Sequence, residues 1–425
     1  MKKILVLCHS ASIGGAELAL ASLIEYTHEI YEWHLVFADT KKAPNTLTAR
    51  AKKVEYIDLP WWCYEAHDNP KVIHKKSLLK SMKKLESLSQ NADVLLTNTI
   101  TIPWLGFIAQ KINKPHIWYV HEFGDIDHNL KFISGYQESL EIISKNSSRI
   151  LTISDAVKQH IAQTIPESRI DIIHQSIDFT QIPFGPPNLN ETSLVKLAVL
   201  GAMKPSKGQK IVIDAVKKIN SISGKSFTLD VVGPNANEAY VGNLEKIVKG
   251  DNRISVQSRY FELAHELNNH DVLIMASENE ALGRVTLEGL AAGKTVVGYA
   301  CKATEDLLKD GRGVLYSPNS PDALAKVLAD LVDLSKNINY KSNALFAKKT
   351  HGPERQSLDF EICINNSKDT SVESNETYSN YLDSLAEKSL YIGTMKSIKT
   401  NAKNEIAKKT PKKIKTAARK LRFLK

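Results

Sequence analysis

Cysteine is scarce, with only four residues in a chain of 425. Cys8, Cys63, Cys301 and Cys363 show neither the paired spacing of a zinc site nor the density of a disulfide scaffold, which suits a reducing cytoplasm. Long apolar runs are missing too, since none approaches the roughly 18 residues that a membrane-spanning helix needs. The opening MKKILVLCHSA imitates a secretory signal, but its apolar segment stops at Cys8-His9 and reads as a buried first strand. No G-x-G-x-x-G turn is present, so the common dinucleotide fingerprint is excluded. Acidic residues run out only at the end: from 396 to 425, twelve Lys or Arg face the single Glu405. The net charge of +9 therefore belongs to a tail, and the remaining body is close to neutral. That body shows no nucleic-acid-binding module. Its length and its 42% hydrophobic content suffice for two domains with full cores.

The most informative stretch runs from Ser277 to Gly298, SENEALGRVTLEGLAAGKTVVG. An apolar run from Asp271 precedes it and another from Thr295 follows, giving strand, loop, helix, strand: a βαβ unit. Glu280 then lies in the loop at a strand's carboxyl end, and Glu288 lies on the helix, flanked by small residues. Ligands of doubly wound sheets bind at such rims, where a helix N-terminus receives an anion. By spacing alone, an Arg284–Glu288 surface pair with an idle Glu280 is an equal reading.

Strands are predicted at Lys3–Cys8, Glu32–Ala38, Val54–Leu59, Ala92–Thr99 and His116–Val120, with helices between them, the α/β alternation. Gly14-Gly15 closes the first strand's turn, and a helix from Ala16 follows. The pair is either a plain turn or a place where a ligand meets the backbone. Pro60-Trp61-Trp62-Cys63-Tyr64 is either a core-edge cluster or a platform on which a sugar stacks. His121-Glu122 ends another strand, as a capping pair or as ligand contacts. Asp125-Ile126-Asp127 fits a three-residue metal motif, too short to carry weight. Ser154 or Asp155 caps a helix. Pro183, Gly185, Pro186 and Pro187 mark a linker. Beyond it, Gly201, Lys207-Gly208 and Gly233 stand at further strand ends, with Lys207 placed either for a diphosphate or in solvent.

The words around Glu280 and Glu288, the Gly14-Gly15-Ala16-Glu17 loop, Lys207-Gly208 and the CKATEDLLKDGRGVLY stretch together resemble family 4 glycosyltransferases of the GT-B fold. The resemblance covers residues 1 to about 335. It implies an α/β, two-domain GT-B architecture of Rossmann-like, doubly wound halves facing across a cleft. The implied division is 1–182 on the acceptor side, a linker 183–194, and 195–336 on the nucleotide-sugar side. After these come an irregular polar segment 337–374, a crossover helix 375–390 and a basic tail 391–425. It also implies a retaining glycosyltransferase that needs no metal or other cofactor and uses a UDP- or GDP-linked sugar.

By the same resemblance Glu288 accepts from the ribose hydroxyls, and Glu280 with the Leu282-Gly283-Arg284 backbone holds the sugar. Lys207 bears the diphosphate, Gly201 and Gly233 line the nucleotide, Gly15 lies against the diphosphate or acceptor, and His121 faces the transferred sugar. Two departures stand out: Ala202 replaces the family's Arg, and Gln175-Ser176 replaces its Asn-Gly. They keep a non-catalytic binding subunit open as an alternative, beside a same-fold sugar-nucleotide epimerase. The expected partners are the donor, a saccharide or lipid-linked acceptor, and an anionic membrane met by the tail. The expected location is the cytoplasm, peripheral on the inner face of the membrane.

Overall fold

The computed structural model describes residues 1–65, 72–190, 194–222, 226–367 and 381–392. The first half is built on strands β1 Lys2–Cys8, β2 Tyr31–Phe37, β3 Lys53–Tyr56, β4 Cys63–Glu65, β5 Val94–Asn98, β6 His116–Val120, β7 Leu130–Phe132, β8 Arg149–Thr152 and β9 Ile170–Ile172. Seven of them form a parallel sheet in the order β3-β2-β1-β5-β6-β8-β9, while β4 and β7 pair antiparallel beside it. The second half carries β10 Val195–Leu200, β11 Phe227–Gly233, β12 Ile254–Ser258, β13 Val272–Met275, β14 Thr295–Tyr299 and β15 Val314–Tyr316, ordered β12-β11-β10-β13-β14-β15.

The central strands are buried along nearly their whole length, as in ILVLC of β1 and VLIM of β13. Helices cover both faces of a parallel sheet, so such strands read as continuous apolar runs. Two Rossmann-like sheets in one chain is the α/β, GT-B architecture that the sequence implies.

Register decides what meets at the rims. Cys8 pairs with Asn98, and Asn98 with Tyr119, so the carboxyl ends of β1, β5 and β6 lie side by side. In the second sheet Met275 pairs with Gly298, and the helix Arg284–Ala291 crosses between β13 and β14. Gly289 lets that helix lie close on the sheet, since a Cβ there would sit 2.7 Å from Leu273.

One expectation is corrected. The segment 337–374 is not irregular where it is described: helices Tyr340–Thr350 and Pro353–Asn366 occupy most of it. The second has a buried face of Gln356, Asp359, Phe360, Cys363 and Ile364, a helical spacing that two polar members conceal. Phe360 stacks on Trp33 of the first sheet at 5.5 Å, and Gln356 donates to the Ala19 carbonyl. The chain thus returns to the first half before residue 375. Residues 381–392 are also helical and lie on the first half, with Tyr381 against Phe107 and the Ser389 hydroxyl accepting from Ile73 N–H. Residues 375–380 of the expected crossover helix, and the tail beyond 392, lie outside the described residues.

Candidate active site

Glycine geometry shapes the rim of the second sheet. Gly201 has φ +135°, and a Cβ on Gly233 would lie 1.8 Å from the Gly201 carbonyl oxygen, so the ends of β10 and β11 touch backbone to backbone. The next loop makes a short 3-10 turn, Pro205–Lys207, that closes at Gly208 with φ +70°. A Cβ on Gly208 would fall 2.3 Å from the Ala276 carbonyl oxygen, so only glycine lets this loop press against the end of β13. The contact brings Lys207 Nζ to 2.8 Å from Glu280 Oε2.

Glu280 is an ionised acceptor in this setting. Burial pushes its pKa up, but the Lys207 charge and hydrogen bond, the Ser277 hydroxyl and the Gly283 N–H outweigh it and hold the carboxyl below the ordinary Glu value. Gly283 begins the next helix in the left-handed region, φ +85°, with Leu307 and Thr286 crowding the place of a side chain. One turn on, Glu288 is 8% exposed, and burial drives its pKa up to about 7, opposed by Arg284. The two side chains stand 3.8 Å apart, while Arg284 Nη1 and Thr286 Oγ1 are buried without a hydrogen-bond partner. The solvent-facing ion pair that spacing alone allows is therefore not what forms. A half-neutral carboxyl, an unsatisfied guanidinium nitrogen and free helix N–H groups together suit hydroxyl-bearing and anionic ligand groups.

Lys204 lies beside Lys207. Burial and the Lys207 charge lower its pKa, while Asp127, Glu280 and Glu65 act in the other direction. Asp127 and Glu65 belong to the first half, so these cations face acidic groups across the cleft. The family's Arg is absent at Ala202, whose carbonyl instead accepts from Gln209 Nε2 at 3.0 Å.

On the opposite rim, His121 follows β6. Its Nε2 is 2.8 Å from Asn98 Oδ1, its ring centroid is 3.8 Å from that of Tyr119, and Nδ1 is buried with no partner. Burial, reinforced by the His9 charge, lowers its pKa to about 3, so the imidazole is neutral. The Arg284 charge reaches the buried Tyr119 hydroxyl, which links this rim to the second-half helix. Glu122 turns inward: Oε1 accepts from Ile100 N–H and Oε2 from His121 N–H, while burial raises its pKa to about 7.

Several other motifs find structural uses. Asp127 accepts from the N–H groups of Phe123 and Gly124, and Asp125 from Ile126 N–H, with His160 Nε2 at 2.8 Å, so both carboxylates fold their own loop. Trp62 is core, whereas Trp61 is 36% exposed. Ser154 caps its helix by accepting from Val157 N–H and donates to the Ala281 carbonyl across the cleft. Asn279 Nδ2 reaches the Ile126 carbonyl at 3.2 Å. Between these contacts lies a cavity of about 310 Å³, bounded by Phe123, Ile126, Gln159, His160, Glu280 and Lys302. Gln175 Nε2 donates to the Gly15 carbonyl and Ser176 bonds Ser22, so the pair that replaces Asn-Gly tethers the first helix.

Lys207, Glu280, Gly283, Arg284 and Glu288 thus converge in one place, with Leu282 buried between them, and His121 stands on the facing rim. Gly15 borders open space, with no protein atom within 4 Å of an added Cβ. Gly201 and Gly233 have a packing reason of their own. Sequence reasoning assigned no role to His9, Glu17 or Asn98. The signal for Glu17 is its place on the helix Gly15–Thr27, three residues before Leu20 on the buried stripe.

A family model described as Glycosyltransferase Family 4 matches residues 13–181, and one described as Glycosyl transferases group 1 matches 186–345. An uncharacterized glycosyltransferase of Methanocaldococcus jannaschii is 24% identical over 307 residues, covering 68% of this chain and 82% of the relative. Among solved structures, Anabaena HepE in complex with UDP and glucose superposes with TM-score 0.68 at 20% identity, over 86% of this chain and 100% of HepE. The apo lipopolysaccharide outer core galactosyltransferase WaaB superposes with TM-score 0.66 at 14% identity, over 86% of this chain and 99% of WaaB. The two family models between them span both halves of the molecule and both rims of the cleft, and the chain belongs to the family 4 glycosyltransferases, with the GT-B fold.

Proposed function

We propose that this protein is a retaining glycosyltransferase that moves a hexose from a nucleotide-activated donor to a saccharide or lipid-linked saccharide in surface polysaccharide or glycolipid assembly. The observation that carries the reading is the Lys207–Glu280 pair beside the half-buried Arg284–Glu288 pair, at a helix N-terminus in the cleft. Lys207 is neutralised by Glu280. A donor diphosphate takes over that cation and frees the carboxylate to accept from the sugar's hydroxyls. Glu288 accepts from the ribose diol in its ionised form, and Arg284 Nη1 gains the partner it lacks.

Negative charge grows on the leaving phosphate in the transition state, so preorganised donors aimed at it lower the barrier. The acceptor hydroxyl attacks on the face that the phosphate leaves, its proton passing to the leaving phosphate oxygen, and no protein nucleophile is required. His121 is neutral and has an unsatisfied Nδ1, which fits a hydrogen bond to the transferred sugar and not a proton shuttle at neutral pH. UDP is favoured as the carrier because HepE is a structural neighbour solved with UDP and glucose. The polysaccharide assignment draws on the likeness to a lipopolysaccharide galactosyltransferase and on the basic tail.

Near an anionic bilayer each engaged cation contributes about 1 kcal/mol, so the tail's composition suits peripheral attachment. Equal pelleting with anionic liposomes of the full chain and of one ending at Leu390 would remove the membrane from this account. The reaction itself is tested by nucleotide release from UDP- and GDP-sugars in the presence of membrane lipid extract. Wild type should turn over with retained anomeric configuration and Glu280→Gln should not; equal turnover of the two refutes the assignment.

A further inference from the structure

The carboxyl ends of β1, β5 and β6 hold a polar cluster of which the donor account uses only His121. His9 follows β1, Asn98 ends β5 and His121 follows β6, and the sheet order places the three side by side. Glu17, from the first turn of the helix Gly15–Thr27, points into the same place and is 5% exposed. His9 Nδ1 and Glu17 Oε1 face each other at 3.1 Å, at an angle that makes no hydrogen bond. Among the described residues, four buried polar atoms here have no hydrogen-bond partner: Asn98 Nδ2 and His121 Nδ1, and the His9 Nδ1 and Glu17 Oε1 that face each other. Leaving such groups unpaired costs about 1–3 kcal/mol each, so their concentration in one spot marks a place built to be completed by a ligand.

Beside them stands Trp61, the one partly exposed tryptophan of the five. Its ring lies 5.1 Å from His9, and its indole N–H donates to the His9 carbonyl, which fixes the ring at the mouth of the cluster. A Cβ on Gly14 would meet Glu17 Oε2 at 2.8 Å, so glycine leaves the carboxylate its present position, and beyond Gly15 the space is open.

The charge of this rim separates it from the donor side. Lys204, Lys207 and Arg284 lie on the second half, whereas the charges that act on Glu122 come from His9, Asp127 and Glu17. A phosphate would meet carboxylates here. A neutral pyranose instead offers hydroxyls to a carboxylate and an apolar C–H face to an aromatic ring.

We propose that Glu17, His9 and Trp61 form the acceptor subsite and that it takes an uncharged hexopyranose ring: Glu17 accepts from the ring hydroxyls, Trp61 stacks on its face, and His9 positions both. This rests on the glycosyl-transfer reading and adds the chemical class of the acceptor's terminal residue.

The test uses the full chain, saturated with UDP, and acrylamide quenching of tryptophan fluorescence. The other four tryptophans are buried, so quenching reports Trp61 and should collapse in Trp61→Phe. Titration with the methyl pyranosides of glucose, galactose, mannose and N-acetylglucosamine should protect Trp61 for at least one sugar. Glu17→Gln should weaken that sugar about tenfold, the loss of one hydrogen bond to a charged group. The corresponding hexose 6-phosphates should not protect.

Saturation-transfer NMR of the protecting sugar with Trp61→Ala gives a second readout that does not depend on Glu17, and its signal should fall. The proposal is overturned if no hexoside protects, if Glu17→Gln is protected equally, or if a hexose phosphate protects as well as the neutral sugar. UDP affinity is measured on the same samples: its absence in wild type refutes the functional reading, while hexoside protection stands or falls by itself.

Discussion

Glu288 offers a quantitative handle, because the burial that fits it to a ligand raises the cost of ionising it. Unfolded, its carboxyl titrates near the reference value of 4.5; folded, it does so near 7. Between those values the native state holds a proton that the unfolded state has lost, so the favourable contribution is full below about 4.5 and falls away as pH rises through about 7. A shift of this size is worth about 3 kcal/mol in total, most of which falls between pH 5 and pH 8. Glu288→Gln keeps the shape and removes the titration. Urea unfolding of both proteins at pH 5 and pH 8 isolates the term, because the other titrating groups cancel in the difference. The variant should gain about 2–3 kcal/mol on wild type between the two pH values. Its nucleotide affinity should lose the pH dependence of wild type, whose affinity weakens as the pH falls below about 7. Parallel stability profiles for the two proteins would refute the reasoning.

Gly208→Ala should drive Lys207 away from Glu280, because the new Cβ would overlap the Ala276 carbonyl at a positive φ. Destabilisation by at least about 1–3 kcal/mol together with a tenfold or greater loss of UDP affinity is expected, measured by urea unfolding and calorimetry. Ser154→Ala removes a helix cap and the bond to Ala281 across the cleft, at a cost of about 1 kcal/mol. Hydrogen exchange at Ala156 and Val157 should quicken, and unchanged exchange would contradict the capping role.

The βαβ unit around Glu280 was legible because every local signal agrees there: apolar runs at both strands, small residues on the helix, and glycine at its start. The strand His116–Val120 was legible for the same reason, with a fully buried apolar run bounded by Pro115 and a polar turn. Legibility failed where the meaning of a residue depends on a distant partner. Gly233 has a packing reason that its sequence does not show, because the Gly201 carbonyl occupies the place of its side chain. Trp61 and Trp62 are chemically identical neighbours, yet the loop that leads into β4 turns one outward and buries the other. The helix Pro353–Asn366 hid because Gln356 and Asp359, polar in sequence, are buried against Ala19 and His174 of the first half. The His9–Glu17 contact needs the fold of the glycine turn, which no spacing rule supplies.

The central claim is a nucleotide site closed by Glu288 and Lys207. Calorimetric titration of the purified chain with UDP and with GDP tests it most directly. The account predicts that one nucleotide, UDP, binds and that Glu288→Ala abolishes the binding while the protein stays folded. A folded wild-type protein that binds neither nucleotide would contradict it.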